Sequence, residues 1–313
     1  MRYSMKVRAV TRWFDASMFG ALSVVWGLTF PAISVGLEFL PPLLFAALRY
    51  DVAAAVLLGY AAVRTDEWVP AGRNNQFAIL GGGLFLIAGT GLLFIGQQTV
   101  PSGIAGIMQA LMPIATAAWA LFLLGEHLTV RGAIGVGIGF LGIALVVQPD
   151  PNNLLGGDTL GRLIIVGQVI SVALGGVIIQ RVVPSMDRVP LIGWSMLLGA
   201  IILHGLSLGV GELPGGGLTT PAAIGAILYL GVFATAIAYY IYFYIIEVHG
   251  AFQASLIAYL VPVVATIVGV FALGESINWL SYAGFGFVAA GFALLKRRAL
   301  AAAIGDASIP GHR

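Results

Sequence analysis

The chain has 313 residues, of which 59% are hydrophobic and 9% charged, with a mean hydropathy of +1.00. A soluble domain carries roughly 25% charged residues, so a water-soluble globule is excluded. The net charge of +2 says little, because the placement of charge matters more than its sum; no nucleic-acid partner is expected, and the absence of cysteine excludes disulfides and thiolate metal sites.

Spanning a bilayer takes about 20 mostly apolar residues as a helix, and the chain offers ten such stretches. The first, 15–37, follows Arg2, Lys6, Arg8 and Arg12 and carries Trp26 and Phe30. Its start resembles a signal peptide, but the run is too long and no small-residue cleavage site follows. Span two, 41–63, opens at Pro41-Pro42 and holds Arg49 and Asp51; span three, 76–97, holds Thr90. Span four, 102–124, carries Gln109 and Pro113, and span five, 130–148, carries Gly132, Gly135, Gly139 and Gly142. After the turn-rich stretch Pro149-Asp150-Pro151-Asn152-Asn153 come span six, 159–181, with Gln168, and span seven, 190–210. Span eight, 221–246, is dense in aromatic residues, among them Tyr239 and Tyr240. Span nine, 250–273, carries Tyr259 and Pro262, and span ten, 277–296, carries Gly284 and Gly291. The glycines read as close-packing faces inside the molecule, and a monomer is expected rather than a dimer.

A shift of 149 residues superposes Phe94 on Phe243, Leu111 on Leu260, Pro113 on Pro262, Phe122 on Phe271 and Gly125-Glu126 on Gly274-Glu275. The chain is a tandem duplication with five spans per copy. With the N-terminus in the cytoplasm, 13 of the 15 basic residues fall inside, Arg162 alone falls outside and Arg49 lies within a span. Five is an odd number, so the two copies are inverted relative to one another. Inverted repeats can exchange conformations across the membrane plane, which is the architecture of a transporter. The expected division is a first five-helix repeat over 13–148, an external linker over 149–158, a second repeat over 159–298 and a disordered cytoplasmic tail over 299–313.

Trp26-Gly27-Leu28-Thr29-Phe30, the pattern Pro42-x-x-Phe45-x-x-x-Arg49, and Pro113 followed by Gly125-Glu126 and a glycine-rich span resemble one EamA-type half. Pro262 with Gly274-Glu275 marks the second half. The chain resembles the ten-helix bacterial members of the drug/metabolite transporter superfamily, and among them amino-acid exporters. The resemblance implies a secondary transporter of the cytoplasmic membrane whose central cavity is walled by spans 1–4 and 6–9, with spans five and ten peripheral. The second half departs from the pattern, since Gly175 and Leu198 stand at the equivalents of Trp26 and Arg49.

Arg49 lies about 12 Å into its span at 1.5 Å per residue, where a charge needs a partner or water. It either holds a substrate carboxylate or is a structural cation bonded to a neighbouring helix end; Asp51, two residues on, points elsewhere. Asp51 is a candidate proton site or a hydrogen-bonded acid between helices. Trp26, Phe30, Tyr239, Tyr240 and Tyr259 form a candidate aromatic wall, and Thr90, Gln109 and Gln168 add neutral polar groups suited to a zwitterion. Pro113 and Pro262 are candidate hinges or cavity-lining breaks. No GxxxxGK[ST] or HExxH motif occurs. Ser195 and His204 lie on opposite faces of one helix, nine residues apart, so they form no catalytic pair. The expected function is export of small neutral amino acids, aromatic ones included, by an all-helical membrane protein without cofactor or metal. The alternatives are export of another metabolite or a hydrophobic drug and, in a different class, a membrane-embedded scaffold or sensor.

Overall fold

The computed structural model describes residues 17–125, 129–149, 157–213, 215–249 and 257–295. Glu126, most of the 149–158 linker and the 299–313 tail lie outside the described residues. Among the described residues eight helices are long and apolar enough to cross a membrane: α1 Ser17–Leu37, α2 Pro42–Arg64, α3 Arg73–Gly96, α4 Ser102–Leu123, α5 Val130–Val147, α6 Asp158–Val182, α7 Arg188–Gly209 and α8 Pro221–Tyr242. Two shorter apolar helices follow, α9 Ile257–Leu273 and α10 Trp279–Leu295. The protein is an all-α, multi-pass membrane fold.

Local sequence places the ends. Pro41 and Pro42 start α2, where proline's missing N–H costs nothing. Thr129 accepts from the Gly132 N–H at 3.1 Å to cap α5. Asn278, 149 residues later, accepts from the Leu280 N–H at 3.2 Å beside the start of α10. Gly125 and Gly274, also equivalent, each take φ +68, a left-handed turn that glycine adopts without steric cost.

Helix packing respects the duplication. α5 packs on α10, α2 on α7 and α4 on α9, each a helix with its own equivalent. Further contacts come in exchanged pairs: α3 with α6 and α8 with α1, α4 with α6 and α9 with α1, α3 with α7 and α8 with α2. The symmetry is incomplete: α2 also packs on α3 and α1 on α4, and among the described residues α7 with α8 and α6 with α9 show no contact of that extent. The α5–α10 contact is backbone on backbone. A Cβ on Gly142 would lie 2.7 Å from the Gly284 carbonyl, and one on Gly291 would lie 2.8 Å from the Gly139 nitrogen. The glycine stripes are thus consumed by internal packing.

Two helices are widened at equivalent places. α3 is π-helical over Gly82–Ile87 and α8 over Tyr229–Ile237. α4 tightens to a 3-10 turn at Gln109–Leu111, directly before Pro113 in the following helical segment. Pro262 lies inside the continuous α9 helix.

Candidate functional site

The widened segment of α8 is where α1 and α2 dock. The Trp26 indole on α1 donates to the Ala234 carbonyl at 3.1 Å. Tyr229 Oη donates back to the Val25 carbonyl at 2.8 Å. Arg49, only 6% exposed, donates from Nε to Thr235 Oγ1 at 3.0 Å, and that hydroxyl donates to the Leu230 carbonyl at 2.6 Å. The bond from Thr235 back to Leu230 spans five residues, the step of a π-turn. The widened turn therefore fixes the hydroxyl that receives the arginine.

Around this centre stand aromatic rings. Trp26 meets Tyr239 edge-on at 6.1 Å and Tyr242 at 5.1 Å, and the Arg49 guanidinium carbon lies 5.0 Å from the Tyr50 ring centre. Among the described residues Arg49 makes no ion pair, and its bond to Thr235 is its one hydrogen bond. A buried guanidinium carries five donors. Among the described residues its terminal nitrogens meet no hydrogen-bond acceptor, and the Tyr50 ring lies beside them.

A second polar group lies between α4 and α6. Gln109 donates to Gln168 at 3.0 Å. Tyr259 packs among Leu111, Val169 and Phe285, with its ring 5.0 Å from that of Phe292 and its buried hydroxyl without a hydrogen-bond partner among the described residues. Phe30 is buried against Gly106 of α4, and its carbonyl accepts from Gln97 at 3.1 Å. Thr90 turns its hydroxyl back on the Leu86 carbonyl at 2.9 Å.

The sequence-derived set is therefore divided. Trp26, Arg49 and Tyr239 come together; Gln109 and Gln168 pair elsewhere. Tyr240 is 54% exposed on the outer side of α8, with its ring 6.1 Å from that of Tyr60. Asp51 faces the α2–α7 seam and meets His204 Nε2 at 2.7 Å. Thr235 was not among the sequence candidates, although it is the one hydroxyl between Tyr229 and Tyr239. Two apolar cavities lie at helix seams, about 390 Å³ between α1, α8 and α9 and about 220 Å³ between α4, α5 and α6. Neither is lined by Arg49, Trp26, Gln109 or Gln168.

Comparison with known proteins gives the context for this geometry. The model of the EamA-like transporter family matches twice, over residues 16–148 and 159–297. The chain belongs to the EamA-like transporter family. It is a membrane transporter of small molecules, not an enzyme. The "Uncharacterized inner membrane transporter YedA" of Escherichia coli K12 is 30% identical over 86% of each chain. An "Uncharacterized transporter" of Archaeoglobus fulgidus is 28% identical over 89% of this EamA chain and 97% of its own. A "Probable amino-acid metabolite efflux pump" of Salmonella typhimurium is 26% identical over 86% of this chain and 90% of its own. A solved crystal structure shares the fold with a TM-score of 0.63 at 18% identity, covering 91% of this chain and 98% of that one.

Proposed function

We propose that this EamA-like protein exports small neutral amino acids, aromatic ones included, across the cytoplasmic membrane by alternating access. In this reading α1–α10 all span the bilayer as two inverted five-helix repeats, 13–148 and 159–298. The linker 149–158 is external and both termini are cytoplasmic. The basic-residue distribution supports this arrangement, and the helix packing is compatible with it.

One observation carries the substrate class. Arg49 is buried, fixed at Nε by Thr235 and without an acid among the described residues. A charge inside a membrane protein that lacks a partner marks a substrate path by default. A carboxylate fits the guanidinium fork with two charge-assisted bonds. Trp26, Tyr239 and Tyr242 then receive the side chain, while Gln109, Gln168 and Tyr259 offer neutral polar groups on the α4 side. Pro113 and Pro262 let α4 and α9 bend as the halves exchange, and Asp51 with His204 is the candidate proton site. The Salmonella relative named as an amino-acid metabolite pump supports the same substrate class.

Counterflow of labelled amino acids into proteoliposomes tests this. Arg49→Gln replaces the fork with one neutral bond. Uptake of amino acids is expected to fall by about tenfold or more, relative to their carboxyl-free amine analogues, from a loss of roughly 1.5–3 kcal/mol. Arg49→Lys keeps the charge without the planar fork and is expected to fall between. Equal loss for acids and amines, with a lowered melting temperature, assigns Arg49 to structure and overturns the reading. Full transport by a stable variant overturns it as well.

A further inference from the structure

A side chain just past α9 ties that helix to the backbone of α4. Both carboxylate oxygens of Glu275, just past α9, accept backbone N–H groups at the start of α4: Ser102 at 2.7 Å and Gly103 at 3.0 Å. These are orphan donors of a helix N-terminus, where the helix dipole favours a negative charge. Gly274 with its positive φ turns the chain so that Glu275 points back, and the Glu275 N–H bonds the Gly269 carbonyl at 2.9 Å. The fit depends on two missing side chains. A Cβ on Gly269 would collide with Glu275 Oε2, and one on Gly103 would collide with Ile277 and lie 3.2 Å from the Thr266 backbone. Ser102 is fully buried in the contact.

We propose that Glu275 is a positioning residue for transport. It latches the start of α4 to the end of α9 and holds the path shut on that membrane face. This rests on the alternating-access reading, in which α4 and α9 are equivalent helices of opposite halves. Opening that face parts them, and water then takes over the carboxylate and the two N–H groups. The latch therefore has two discrete states, made and hydrated, and its strength sets the balance between them.

The duplication makes the device one-sided. Glu126 is the equivalent of Glu275, but Ala120 and Phe252 stand at the equivalents of Gly269 and Gly103. Those positions carry the Cβ atoms for which this packing has no room. The sequence therefore does not encode a second latch of the same geometry.

The chain has no cysteine, so single introduced thiols report opening without any substrate. Ala105→Cys lies near the α4 start and Ala120→Cys near its other end; Ala105 is fully buried and Ala120 is 5% exposed. Each thiol is labelled in proteoliposomes by a membrane-impermeant maleimide added to one side or the other. Glu275→Gln leaves one acceptor and no charge. It is expected to raise labelling of the Ala105→Cys reporter from the face of the α4 start by about tenfold, with labelling of the Ala120→Cys reporter from the opposite face unchanged or lower. Glu275→Asp, which keeps the charge on a shorter arm, is expected to fall between. Ser102→Pro removes one donor while proline is tolerated at the first helical position, and is expected to raise labelling at position 105 several-fold. It decides the matter if the Glu275 variants do not fold. Unchanged labelling at position 105 in folded protein overturns the latch. So does an equal rise at both reporters, which is general loosening. Because no substrate enters the assay, failure of the amino-acid reading leaves these outcomes intact.

Discussion

At Trp26 two properties of one side chain can be separated. Its ring packs on Tyr239 and Tyr242, and its indole N–H holds the Ala234 carbonyl of the widened α8 turn. Trp26→Ala removes both, and loss of one buried ring costs roughly 1–3 kcal/mol. Apparent affinity for aromatic amino acids is expected to drop by about 5–150-fold in counterflow assays. Trp26→Phe keeps a ring and gives up the N–H, so it is expected to retain most of the affinity. Unchanged uptake in a folded Trp26→Ala protein removes Trp26 from the site. The residue-level legibility of this site follows from depth. Arg49, Trp26 and Tyr239 were visible because a charge or large ring far inside an apolar run needs a reason. Tyr242 is less visible because depth alone picks out Tyr239 and Tyr240, and Thr235 because a lone threonine in a helix ordinarily bonds its own backbone. A π-helical stretch puts more residues into each turn, so it rotates the face of everything downstream. Tyr239, Tyr240 and Tyr242 lie in the ordinary α-helix that follows, where residues three apart share a face, so Tyr242 joins Tyr239 on Trp26 while Tyr240 turns outward to Tyr60. The Asp51–His204 contact was hidden for another reason: it joins residues 153 apart in sequence through the α2–α7 packing.

At the scale of elements, the two widened stretches do equivalent work with different side chains. Ala234 on α8 and Phe85 on α3 are repeat equivalents. The carbonyl of the first accepts from Trp26 of α1, and that of the second accepts from Ser171 of α6 at 2.9 Å. The duplication preserved the backbone feature and let the side chains diverge, which is how one symmetric frame holds a one-sided site. The α5–α10 pair shows the opposite case, where glycine spacing alone announced close packing. Gly142→Ala pushes a methyl group into the Gly284 carbonyl and the Val288 side chain. Overpacking of this kind costs roughly 1–3 kcal/mol. The melting temperature of the purified protein is expected to fall by several degrees, with substrate affinity per folded molecule unchanged because α5 and α10 lie away from Arg49. An unshifted melting temperature refutes the tight backbone contact.

For the whole molecule, the decisive quantity is the parity of the helix count in each half. An odd count inverts the second copy, and exchange of conformations between the copies then turns the protein from one side of the membrane to the other. An even count leaves the copies parallel and removes that argument. Helix pairing by itself does not choose, since α2 on α7, α4 on α9 and α5 on α10 describe only which helices touch. The basic residues favour the odd count. Arg64 and Arg73 flank the α2–α3 connection, Arg131 begins α5, and Arg181 and Arg188 flank the α6–α7 connection. Five helices per half place all of these on the side of the N-terminal Arg2, Lys6, Arg8 and Arg12. Removing one helix from the first half sends Arg181 and Arg188 to the other side and destroys the asymmetry. A reporter fused at Asn153, active only outside the cytoplasm, is therefore expected to be active, whereas the same reporter fused after Arg73 or Arg188 is expected to be silent. Activity at all three positions, or silence at Asn153, breaks the odd count and with it the inverted arrangement. Transport by such a protein would then need a mechanism in which the two halves do not exchange roles.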